Sequence, residues 1–131
     1  MTAQTTPKIA NAREYQITLD TIRSLERGLV EQETFRARRD PVEHWLSLGG
    51  MEGMLADLCQ QAAAYNPADG RPYQATLSAI QRFESYLKHI EAASDQINPA
   101  LLEPLRENNR SFLADLHTQA AAFAAAQRRN A

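Results

Sequence analysis

Glu26 and Glu84 each stand on an apolar stripe of helical spacing, and carboxylates held inside a helical bundle can ligate metals or move protons. Tyr15, Leu19, Ile22, Glu26, Leu29 and Glu33 step by 4, 3, 4, 3 and 4 residues, and Tyr73, Leu77, Ile80, Glu84, Leu87 and Glu91 repeat those steps. This is a heptad seam. An interior lined by Tyr15, Glu26, Tyr73 and Glu84 could take a small ligand or a metal. Dinuclear metal bundles, however, also use Glu-x-x-His on their other two helices. The residues three before His44, His89 and His117 are Pro41, Tyr86 and Ala114. No metal or other cofactor is therefore expected. The structural reading puts Glu26 and Glu84 at the edge of the seam, or in pairs with an arginine or a tyrosine hydroxyl that fix register.

Other chemistry-bearing residues read the same way. Asp57 and Asp115 lie at equivalent places in two similar segments, where they could cap a loop or pair with each other's half of the chain. Trp45, Met51 and Met54 sit beside Gly49, Gly50 and Gly53, and such a group could line an adaptable partner groove or belong to the core. Cys59 is the single cysteine and reads as a small buried apolar residue. Arg36, Arg38 and Arg39, with Arg128 and Arg129, fall at expected helix ends, where positive charge complements the helix dipole. No nucleophile–base set, phosphate loop or Cys/His metal spacing occurs, so catalysis is not expected.

The elements that must position these residues are helices. The 131 residues suit one domain, and Ala, Leu, Glu, Gln and Arg dominate over β-branched types. Glycines and prolines gather at Pro41, Gly49–Gly53, 66–72, Asn98-Pro99 and Pro104, dividing the chain into four long segments. Three glycines in five residues predict a kink near Gly49-Gly50, and Pro104 predicts a short turn at 99–103 before a main helix. Sliding the chain by 58 residues aligns 15–65 with 73–123 without a gap, and 17 of the 51 pairs are identical. Leu-Ala-Asp-Leu-Cys-Gln-Gln-Ala-Ala-Ala at 55–64 recurs as Leu-Ala-Asp-Leu-His-Thr-Gln-Ala-Ala-Ala at 113–122, and Pro41 matches Pro99. The expected fold is all-α, a four-helix bundle made of two tandemly duplicated helical hairpins. A flexible arm would cover 1–14, copy 1 would cover 15–65, a linker turn 66–72 and copy 2 73–127, with 15–127 forming one domain. One such hairpin buries little surface, whereas two can close their stripes on each other. Monomer and homodimer both suit this arrangement.

Fourteen basic against sixteen acidic residues give a net charge of −2, and neither copy has a basic face, so DNA is not an expected partner. The longest apolar run, 120–126, is seven residues long and mostly alanine, far short of the roughly 20 residues of a membrane span. The N-terminus shows no secretory pattern, and a cytoplasmic location is the expectation.

The stretch Ile9-Ala-Asn-Ala-Arg-Glu-Tyr15-Gln-Ile-Thr-Leu19, continuing through Ile22, Leu25-Glu26 and Leu29, resembles the helical segment that opens HigA-like antitoxins and related bacterial regulators. The segment from Gly53 through Asp57, Leu58 and Gln61 to Tyr65 is similar to the second helix of that hairpin. The resemblance covers about 7–66, with 73–123 as a weaker second copy. In that family the hairpin usually precedes a helix-turn-helix domain, whose place here is taken by the second hairpin. The resemblance implies an association with toxin–antitoxin or regulatory systems, and a toxin or regulator as partner. The function expected is a non-enzymatic protein-interaction module; the alternative is a small-ligand or metal-binding bundle using the interior glutamates and tyrosines.

Overall fold

Local capping sets the helix boundaries. A computed structural model describes residues 9–129 of the chain. Asn11 opens the first helix, α1 (Ala12–Glu33): its side-chain oxygen accepts from the Glu14 amide at 2.9 Å, while its amide donates to the Glu14 carboxylate at 3.1 Å. Asp40 caps α2 (Pro41–Tyr65) by accepting from the amides of Val42 and Glu43, and Pro41 occupies the first turn, where its missing N–H costs nothing. Asp69 accepts from the Arg71 amide where α3 (Arg71–Ala92) begins. Asn98 accepts from the Ala100 amide at the start of α4 (Pro99–Arg129). Single 3-10 turns, Arg36–Arg38 and Ser94–Gln96, precede α2 and α4.

The described residues form an all-α four-helix bundle without strands. α1 packs on α2, α2 on α3, and α3 on α4, with a further contact between α2 and α4. α1 and α4 make no comparable contact, so α2 and α3 form the centre and α1 and α4 the flanks. Leu29, Leu48, Leu55, Phe83 and Ile90 are fully buried in the shared core. Each such side chain stabilises the fold by roughly 1.5–3 kcal/mol through burial alone.

Both 3-10 turns and both proline-headed helix starts recur at the 58-residue offset found in the sequence. Glu33 and Glu91, an identical pair in that alignment, also do the same job. Each reaches from the end of one helix to the next: Glu33 meets His44 Nε2 at 2.9 Å, and Glu91 accepts from Arg106 Nη2 at 2.8 Å. The first helices differ in orientation. Tyr15, Leu19, Ile22 and Leu29 of α1 are buried as the seam predicts. The buried stripe of α3 instead runs Pro72, Thr76, Ala79, Phe83, Tyr86 and Ile90, one residue before each member of the expected seam. One residue is about 100° of rotation. Ile80 alone of that seam is buried, and Glu84 and Glu91 face solvent. The cause is position: α1 is a flank with one main neighbour, whereas α3 touches three helices and turns inward Phe83 and Tyr86, whose counterparts in α1 are Leu25 and Gly28.

Several local expectations need correction. α2 runs without a break through Gly49, Gly50 and Gly53. Packing overrides propensity there, because Gly49 is buried and a methyl at Gly53 would lie 3.6 Å from the Phe112 ring, in ordinary contact. α4 likewise begins at Pro99 and continues through Pro104. Asn98 already supplies the cap, and Pro104 is exposed in the second turn, where a single ladder bond is lost. The expected flexible arm at 1–14 lies outside the described residues for 1–8; beyond them Ile9 is buried and α1 has begun by Ala12, three residues before the expected boundary. α3 starts within the expected linker at 66–72, and α4 continues two residues past 127.

Gly50 is exposed in mid-helix with open space where a Cβ would stand. Gly50→Ala should therefore raise the unfolding free energy by about 1 kcal/mol, seen as a higher denaturant midpoint with an unchanged slope.

Candidate functional site

Two arrangements concentrate polar chemistry in the bundle. The first is internal. Leu48, Glu52, Leu55, Cys59 and Ala62 of α2 step by 4, 3, 4 and 3, so a carboxylate sits on the helix's own apolar stripe. Glu52 is only 1 % exposed, and burying a charge in this way is costly unless it is paired and hydrogen-bonded. Arg82 of α3 meets it with two parallel bonds, Nε to Oε2 and Nη2 to Oε1, both 2.7 Å. The Tyr86 hydroxyl donates to Oε2 at 2.9 Å. Glu26 of α1 stands 3.9 Å from Arg82 Nη1, with its side chain 31 % exposed. This bidentate geometry is the strongest arginine–carboxylate form. Burial alone would lower the Arg82 pKa, but the bonds and charge of Glu52 outweigh it and raise the value. Burial, followed by the charge of Glu52, raises that of Tyr86. Both shifts hold Arg82 in its charged form and Tyr86 in its neutral form at neutral pH. Burial likewise pushes the neighbouring Cys59 thiol up to about 12, leaving it unreactive.

The second arrangement is a groove of about 800 Å³ between the C-terminal halves of α2 and α4. Gly53, Ala56 and Ala63 line one wall, Phe112, Ala122 and Phe123 the other, and Pro72 and Tyr73 of α3 close its end. Gln60 donates to Gln119 at 2.8 Å, tying the walls together, and Gln119 donates to Thr76 of α3 at 3.0 Å. Asp57 and Asp115 stand in the two walls. Both are exposed, and neither has a hydrogen-bond or ion-pair partner among the described residues. A third acid in the lining, Asp69, is already occupied. Arg71 holds it through two nitrogens and the Tyr15 hydroxyl donates to it, and the Arg71 guanidinium keeps its carboxyl well below the usual carboxylate range.

The residues singled out from sequence are thus dispersed. Asp57, Asp115 and Tyr73 share the groove. Tyr15 is buried, stacked at 5.0 Å on Tyr65, and bonded to Asp69; burial, then Asp69, pushes its hydroxyl above the usual phenol range. Glu26 borders the internal cluster, while Glu84 is exposed on α3, so Tyr15, Glu26, Tyr73 and Glu84 do not line a common interior. Nor do Trp45, Met51 and Met54 form one surface. Trp45 is 3 % exposed among His44, Tyr86 and His89, Met51 is half-buried opposite Gly28, and Met54 is 59 % exposed. Their spacings of six and three residues spread them round α2, and the absent break at Gly49-Gly50 leaves nothing to regroup them. Among the described residues no three His, Cys, Asp or Glu side chains converge on a metal-sized site. No helix of the described residues is long and apolar enough to cross a membrane.

Sequence reasoning missed Glu52, Arg82 and Tyr86, although the 4, 3, 4, 3 stripe through Glu52 is visible in the sequence; the adjacent glycines drew attention to a break instead. Comparison with protein-family models, with curated proteins and with solved structures finds no match to this chain.

Removing one partner of the internal pair leaves a buried unpaired charge, so Arg82→Met should cost about 3–5 kcal/mol. Replacing the cluster together, as Glu52→Leu/Arg82→Met/Tyr86→Phe, should recover most of that loss, since apolar replacements of buried ion pairs are often neutral or stabilising. Urea unfolding of the single and triple variants measures both.

Proposed function

We propose that this chain is a non-enzymatic helical interaction module, descended from a tandemly duplicated hairpin, whose α2–α4 groove receives another protein. The observation that carries this reading is the groove itself. An apolar channel of about 800 Å³ bounded by two aspartates without a partner among the described residues is more than a folded monomer needs for its own stability. Its walls include parts of the most closely recurring stretches of the sequence, 55–64 and 113–122, and two identical pairs at the 58-residue offset, Asp57 with Asp115 and Ala64 with Ala122, border the same space. The recurrence of turns, caps and hairpin-closing glutamates at one offset supports the duplication. The resemblance of 7–66 to HigA-like segments supports a toxin or regulator as the partner and a cytoplasmic setting, without operator binding, since the chain is mildly acidic.

Ala122 is exposed in the groove wall, so Ala122→Trp fills the channel without disturbing the core. Affinity capture from cells of the source organism, read by mass spectrometry, should enrich a specific protein with the native chain. Ala122→Trp should reduce its recovery at least tenfold while leaving the unfolding midpoint in place. Equal capture by both chains, or no enriched protein, would overturn the reading.

A further inference from the structure

The shape and charge of the groove together narrow the occupant. We propose that the α2–α4 groove binds an amphipathic helix of a partner protein, one whose apolar face is flanked by lysines or arginines. This rests on the interaction reading above and goes beyond it by naming the partner's chemistry.

Backbone geometry carries the first step. Away from their ends the groove walls are helices whose N–H and C=O groups bond within the helix, so they offer no sheet edge to an extended segment. An occupant that enters an apolar channel must bring its backbone already hydrogen-bonded, which a helix does and a strand does not. The dimensions agree. Small residues, Gly53, Ala56 and Ala63 on α2 and Ala122 and Ala126 on α4, keep the walls low, allowing a helix to approach closely. The α4 wall from Phe112 to Arg129 is 18 residues long, about 27 Å at 1.5 Å per residue, enough to support several turns.

Charge carries the second step. Asp57 on one wall and Asp115 on the other are exposed and unpaired, while the lining's only cation among the described residues is Arg129, at the last turn of α4. An occupant with basic residues on both flanks of its apolar stripe would place one row beside each aspartate. The same charges argue against a second copy of this chain. A twofold contact through the groove would set Asp57 and Asp115 of one copy against the same two residues of the other, and like charges across an interface are strongly unfavourable.

Three synthetic peptides of about 18 residues, long enough for roughly five turns, test the inference. One carries an Ala/Leu stripe flanked by Lys and Arg, the second has Glu in place of those cations, and the third is a scramble of the first that lacks the stripe. The basic amphipathic peptide should bind, with amide shifts in the chain's NMR spectrum concentrated at 53–64 and 112–126. The glutamate and scrambled peptides should bind at least tenfold more weakly. Asp57→Asn/Asp115→Asn, two isosteric changes at exposed positions, should weaken the basic peptide at least tenfold while leaving circular dichroism unchanged. Equal binding of the glutamate peptide, indifference to the double substitution, or shifts centred on another face would overturn it. If those results appear while Ala122→Trp still abolishes capture of a native partner, the interaction reading stands and only the helix-and-charge inference falls. If capture fails as well, both fall.

Discussion

The Glu52 carboxylate, buried inside α2, constrains the rest of the bundle. A charge at 1 % exposure is tolerable only in a geometry that satisfies it fully, and Arg82 and Tyr86 provide that geometry from a single helix, α3. Three bonds between two rods fix both their axial register and their rotation. A slide of α3 by one residue would take the guanidinium out of reach and leave two charges unmet. The rotation of α3 by about one residue from its repeat-derived seam brings Arg82 close enough to Glu52 while keeping Phe83, Tyr86 and Ile90 in the core. At the 58-residue offset Arg82 aligns with Ser24 and Glu52 with Arg110. The pair therefore has no counterpart at that offset, which makes the centre of the bundle asymmetric.

That asymmetry accounts for the surface. With α2 and α3 locked as the central pair, α1 covers one side through Leu19, Ile22 and Leu29, and α4 covers the other. The contact of α4 with α2 includes the Gln60–Gln119 bond and Phe112 lying over Gly53. Helices joined in this way leave a channel above the contact. The alanine-rich repeat at the ends of α2 and α4 widens it, since a methyl group fills little of the space between two rods.

Much of this architecture is legible in the residues, and the illegible parts have a common cause. The break before α2 at Asp40-Pro41 depends on atoms within three residues and is legible from composition and order, whereas the caps at Asn11 and Asn98 start α1 and α4 three and five residues before the expected positions. The seam of α1 is also legible, because a flanking helix has one buried face and its periodicity reports it. The seam of α3 is not, because a helix with three neighbours buries a wider arc and identity with α1 does not imply the same environment. Gly49-Gly50 and Pro104 are weak helix positions locally, yet packing on α4 and an established cap carry the helices through them. For the site, the repeated Asp57 and Asp115 stood out in the sequence, but their meeting in one groove depends on how α4 settles against α2. The internal pair had a readable half, Glu52 on an apolar stripe. Its partner is invisible without the rotation of α3.

The most direct test of this account observes the Arg82 guanidinium in solution. At neutral pH the account predicts a resolved Arg82 Nε–H resonance that exchanges slowly with water, correlates with the Tyr86 ring, and disappears in Glu52→Gln. An Arg82 Nε–H that exchanges as fast as those of the exposed Arg13 and Arg23 would contradict it, because the register of α2 against α3 would then rest on something other than this buried pair.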